Sequence, residues 1–126
     1  MSKAGRSARA RRSGALGRRS EWLAIIWLFL KGYRLLARRF GGKGGEIDLI
    51  MKRGRLVIFV EVKRRGMMEE ALVSITPKKR RLVAARVRQW LALNPWAMDF
   101  DLRVDAVFLA PLRRPRHLAG VFELVL

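Results

Sequence analysis

The chain of 126 residues contains no cysteine and a single histidine. Disulfide scaffolds, thiolate metal sites and cysteine nucleophiles are therefore excluded, and His117 alone cannot build a histidine-rich zinc centre. Any metal would have to be held by carboxylate oxygens. Acids are scarce as well, 10 against 28 Lys and Arg, which leaves a formal charge of +18 and points to a polyanionic partner, either nucleic acid or an anionic membrane surface. Long apolar runs are missing: the longest, residues 22–30, has nine residues, whereas a bilayer span takes about 20. No membrane span is expected. With no small-residue cleavage site behind it, the run reads as a helix of the fold, and the expected location is cytoplasmic. The Arg-rich, acid-free start also fits an organellar transit peptide.

What is present suits one folded domain, because 51% of the residues are hydrophobic and 30% charged. The charge is uneven. Lys3, Arg6, Arg9, Arg11, Arg12, Arg18 and Arg19 precede the first acid, Glu21. Residues 1–16, built largely of Ser, Ala, Gly and Arg, cannot bury enough apolar area to offset chain entropy and are expected to form a disordered basic arm before a domain at 17–126.

The spacing of Leu23, Ile26, Trp27 and Leu30 predicts a first helix over residues 17–30, with Ser20 and Glu21 as its start signal. Tyr33 to Phe40 reads as a strand, and Gly41, Gly42, Gly44 and Gly45 as a flexible turn. Residues 46–52 alternate, which puts Glu46, Asp48 and Ile50 on one face and Ile47, Leu49 and Met51 on the other. Arg53 and Gly54 turn the chain into residues 55–63, a β-branched run and the strongest strand signal. Residues 64–75 read as a loop or a partly helical connection. Thr76 and Pro77 open a second helix to about Leu93 with Val83, Val87, Trp90 and Leu91 as its buried stripe. Leu102 to Leu109 predicts a fourth strand and Gly120 to Leu126 a short terminal one. This order, helix, three strands, helix, strand, argues for a single α/β or α+β domain with a mixed sheet between two helices.

Period-two geometry places Glu61 and Lys63 on one face of the third strand, and the preceding hairpin brings Asp48 beside Glu61. Two carboxylates with an ammonium next to them suit an oxygen-liganded divalent cation, Mg²⁺ or Mn²⁺. Lys63 could then orient a water or neutralise charge on a phosphoryl oxygen. Glu21 would add a third carboxylate if the first helix points its N-terminus at the hairpin. An acid in an apolar strand is costly unless paired, which sharpens the signal at Glu46, Asp48 and Glu61; solvated strand faces explain it equally. Among the remaining polar and aromatic residues, Asp105 is expected in a structural ion pair and His117 at the surface or in a cap. Trp27 and Trp90 are expected in the core, and Trp96 is the tryptophan left open for stacking.

The segments GRRSEWLA at 17–24, GEIDLI at 45–50, IFVEVK at 58–63, TPKK at 76–79 and VDAVFL at 104–109 resemble the YraN family of bacterial proteins. The resemblance covers about residues 17–122. It implies a PD-(D/E)XK nuclease fold, a restriction-endonuclease-like mixed sheet of four to five strands flanked by helices, close to archaeal Holliday-junction resolvases. Asp48 matches the motif aspartate, Glu61 and Lys63 match the E-x-K pair, Glu21 matches the helix-one glutamate and Glu46 a second acid typical of the family. Arg80 departs, standing where relatives commonly carry Gln.

The implied activity is Mg²⁺-dependent hydrolysis of DNA, branched or damaged, with catalytic residues Glu21, Asp48, Glu61 and Lys63 and metal ligands Asp48 and Glu61. The alternative is an accessory protein that keeps the fold and binds nucleic acid without cleaving it. A resolvase would act as a homodimer, since a junction needs two sites. Lys78, Lys79, Arg80 and Arg81 crowd the start of the second helix, where cations oppose the helix dipole and together attract anions. With Arg64 and Arg65 they form the expected phosphate-binding set.

Overall fold

The computed structural model describes residues 21–64 and 76–126. The expected basic arm, the connection after the third strand and Arg65 lie outside them. Residues 21–30 form helix α1, followed by strands β1 (Arg34–Gly42), β2 (Gly45–Arg53) and β3 (Leu56–Arg64), helix α2 (Pro77–Leu93), a 3₁₀ turn (Pro95–Asp99), and strands β4 (Asp101–Leu109) and β5 (Arg116–Phe122). The five strands lie in one sheet in chain order. All neighbours are antiparallel except β3 and β4, whose parallel pairing requires a crossover, and α2 lies in that crossover. The expected mixed sheet between two helices is what forms.

β3 sits at the centre because its side chains are apolar on both faces. Val57 and Phe59 pack with Val83, Val87, Trp90 and Leu91 of α2. Ile58 and Val60 pack with Ala24, Ile25 and Leu28 of α1. The buried stripe of α2 is the expected one, and Thr76 accepts the Lys79 N–H at 3.2 Å as its N-cap.

Four expectations need correction. The stripe that α1 buries is Ala24, Ile25 and Leu28; Leu23, Ile26 and Leu30 face solvent and Trp27 is only half-buried. The helix is apolar all round, so spacing alone could not say which face meets the sheet. In β2 the alternation breaks: Ile47 joins Ile50 on the α2 side, while Leu49 and Met51 face α1. The glycine cluster is mostly strand, with only Lys43 and Gly44 in the turn. Gly41 has φ 142° and a Cβ there would stand 2.7 Å from the Gly45 carbonyl oxygen, so this hairpin end closes only on glycine. The last strand also starts earlier, at Arg116, and ends at Phe122.

Candidate active site

The β2–β3 ladder runs from the Arg53–Leu56 pair to the Leu49–Val60 pair. One step further, Asp48 would face Glu61. Instead the Asp48 carboxylate accepts the Val62 N–H at 2.7 Å, taking the place of a backbone partner. Here the two strands part, which is why Ile47 changes face. Opposite Asp48 on β1, Arg39 has a left-handed backbone with φ 51°.

Three carboxylates bear electrostatically on this opening. Asp48 is pushed up to about 6, first by burial, then by the charge of Glu61, with Glu21 adding to the rise; the Val62 N–H and Lys79 work the other way. Glu61 lies 3.3 Å from the Lys63 ammonium and 3.2 Å from that of Lys79, which reaches down from the first turn of α2. Glu21, at the N-terminal end of α1, is buried and held by Arg39 Nε at 2.8 Å and Arg38 Nη2 at 3.1 Å. Its charge is felt at Asp48, so α1 does direct its N-terminus to the hairpin.

Among the described residues Asp48 is the half-buried or buried acid with no cation at ion-pair distance, although Lys and Arg abound; Glu21, Glu61 and Asp105 each have one. No group of three or more His, Asp or Glu close enough to hold a metal occurs among the described residues. The candidate centre is therefore a carboxylate pair, Asp48 and Glu61. Such a pair fits a hard divalent cation that keeps most of its waters, because the cation would relieve the repulsion that lifts Asp48. Glu21 does not fit as a ligand, since two guanidinium groups already hold it.

Beside the pair, an apolar recess floored by Phe59, Phe108 and Phe122 opens at Glu61, Lys63 and Lys79. Of the expected phosphate-binding set, Lys78, Arg80 and Arg81 lie exposed on α2, Lys79 is half-buried beside them, and Arg64 is exposed at the end of β3. Lys79 is not a free cation but a partner of Glu61. Arg80 leans over the Phe122 ring at 5.5 Å. Glu46 is exposed, so no buried charge needs explaining there.

Sequence reasoning missed Arg38 and Arg39 as the clamp on Glu21. The signal was available only through hairpin register, which places Arg38 opposite Leu49, next to Asp48. His117 is also corrected. Its side chain is buried, with Nε2 2.7 Å from Asp105 and Nδ1 2.6 Å from the Lys31 ammonium. Because an ammonium can only donate, Nδ1 accepts and Nε2–H donates to Asp105.

Asp105 is the structural ion pair expected. Arg103 grips it with two bonds of 2.7 Å, and the Gly120 N–H adds a third contact. Burial pushes its carboxyl up, but Arg103, His117 and Gly120 outweigh that and hold it below the usual range. This network packs on the α1 side of the sheet. Glu61 lies on the other.

The fold and this opening define a mixed-sheet α/β domain whose central hairpin splays around carboxylates and lysines. Its sequence matches the profile of the uncharacterised protein family UPF0102 over residues 20–109. The chain belongs to that family. A UPF0102 protein of Methylobacterium nodulans is 50% identical over 119 residues, covering 94% of this chain and 92% of the relative. One from Methylorubrum extorquens is 51% identical over 117 residues, covering 93% and 91%. Among solved structures, a Holliday junction resolvase from Archaeoglobus fulgidus is similar, with 15% identity, a TM-score of 0.45, and coverage of 80% of this chain and 73% of that one.

Proposed function

We propose that this chain is a Mg²⁺- or Mn²⁺-dependent endonuclease that hydrolyses phosphodiester bonds in DNA, branched or recombination intermediates among them. The observation that supports the reading is Asp48, a carboxyl lifted to about 6 by burial and by Glu61 and with no ion-pair partner among the described residues, in a chain of charge +18. Asp48 and Glu61 would hold the cation, which when bound supplies positive charge to the phosphoryl oxygens and acidifies a water. The chain's own residues do the rest. Lys63 presents its ammonium to a non-bridging phosphate oxygen or to the attacking water, and Lys79 keeps Glu61 in place from α2. Glu21, neutralised by Arg38 and Arg39, shapes the field at Asp48. A water adds to phosphorus in line and loses a proton to solvent as the bond to the departing sugar oxygen breaks, that oxygen taking up a proton from solvent, and charge gathers on oxygens facing Lys63.

The ion pairs of Glu61 with Lys63 and Lys79 favour a second reading, a DNA-binding protein that does not cleave, because those cations already satisfy one carboxylate of the pair. One experiment separates the two. Linear, nicked, flapped and four-way DNA are incubated with the full chain in Mg²⁺, Mn²⁺ or EDTA, beside Asp48→Asn. Cleavage that needs the metal and Asp48 supports the nuclease; tight binding with no cleavage under any condition moves the assignment to the binding protein.

A further inference from the structure

The face of α1 turned away from the sheet has no physical reason to be apolar, yet it carries no polar side chain. Trp22, Leu23, Ile26, Phe29 and Leu30 are between 49% and 73% exposed. At about 100° per residue they fall within an arc of roughly 120°. No charged residue interrupts positions 22–30. Solvent-facing helix surfaces are ordinarily polar, and a contiguous apolar face marks an interaction site.

Cations frame this face. The guanidinium of Arg38 lies over the Trp22 ring, 4.6 Å from its centroid. Lys31 follows Leu30 directly and is exposed, as is Arg34 at the start of β1. We propose that the exposed face of α1 docks the protein on an anionic lipid bilayer, with Trp22, Phe29 and Leu30 entering the interface and Lys31 and Arg34, the exposed cations at the end of the helix, meeting lipid phosphates. Indole, phenyl and leucyl groups beside Lys and Arg are the composition that an interfacial helix uses. Among the described residues no helix is long and apolar enough to cross a membrane, so the contact is with the surface.

A second copy fits less well. Two chains of charge +18 would repel each other. Nucleic acid offers this face phosphates but no apolar surface to cover it. The proposed contact leaves Glu61 and Lys79 free, since α1 packs on the opposite side of the sheet from them.

Co-sedimentation of the full chain with vesicles of phosphatidylcholine alone, or with added phosphatidylglycerol, tests it. The wild type should bind the anionic vesicles. Phe29→Gln combined with Leu30→Gln should bind them about tenfold or more weakly, with circular dichroism and DNA affinity unchanged. Equal binding by wild type and variant would mean that a basic protein merely adheres by charge, and would overturn the proposal. So would an absence of binding, or a wild-type dimer by light scattering that the variant dissolves, which would give the face to a second copy.

Discussion

At Asp48 the fold holds a carboxyl that its surroundings prefer protonated. An acid whose folded value rises from 3.8 to about 6 binds its proton more tightly folded than unfolded. Its contribution to stability therefore falls as pH climbs through that window, and the cost persists at higher pH. Asp48→Asn removes the charge and keeps an oxygen for the Val62 N–H. In EDTA the variant should match wild type near pH 4 and exceed it at pH 8 by about 2 kcal/mol, discounted for the solvent that reaches a half-buried group. Urea unfolding at the two pH values measures the difference. Added Mg²⁺ at pH 8 should raise the melting temperature of the wild type and leave Asp48→Asn unmoved; an equal rise in both would remove Asp48 from the metal site.

On α2 local stability and the proposed use of the helix pull in opposite directions. Its first turn contains no acid, and Lys78, Lys79 and Arg80 face a dipole end that favours negative charge. Replacing the exposed Lys78 and Arg81 by Gln should leave the fold as stable or slightly more so. The same change should weaken DNA binding for every sequence and flatten the plot of log affinity against log salt by about 0.9 for each phosphate that these side chains neutralise. An unchanged slope would mean that this end of α2 does not touch DNA.

Elements were legible from the sequence where one pattern had one reading. β3 is apolar on both faces and α2 has a capped, one-sided stripe, so both lie where expected. α1 and β2 were only half legible for different reasons. An all-apolar helix does not state which face it buries, and β2 loses its period of two because Asp48 bonds to Val62 in place of a ladder partner. The candidate site divides the same way. Glu61 and Lys63 are neighbours by strand period alone, but the Lys79 contact with Glu61 and the Arg38 and Arg39 clamp on Glu21 depend on how distant elements pack. His117 shows the limit from the other side, since its burial needs Tyr33, Lys31 and Asp105 brought together from distant parts of the chain.

For the whole molecule the charge of +18 separates holding DNA from acting on it. Residues 1–16 include Lys3, Arg6, Arg9, Arg11 and Arg12. Deleting them should leave thermal unfolding of the domain unchanged while reducing the salt slope of DNA affinity, by about 0.9 for each phosphate they neutralise. Binding that keeps the same slope would give that segment another task.

The decisive comparison removes single charges at the opening. Glu61→Gln and Lys63→Ala each alter one local charge on a surface dominated by cations, so affinity for DNA should change little. Each also removes a group assigned to the reacting phosphate, Glu61 as a cation ligand and Lys63 as the ammonium beside it at 3.3 Å. Single-turnover cleavage at saturating enzyme, which reads chemistry apart from binding, should therefore fall by about a hundredfold or more in either variant. The Lys78 and Arg81 variant should give the reverse, weaker binding with a nearly normal rate at saturation. Cleavage that survives both Glu61→Gln and Lys63→Ala at full rate would place the chemistry elsewhere or in a contaminant, and would leave this protein as a DNA-binding member of its family.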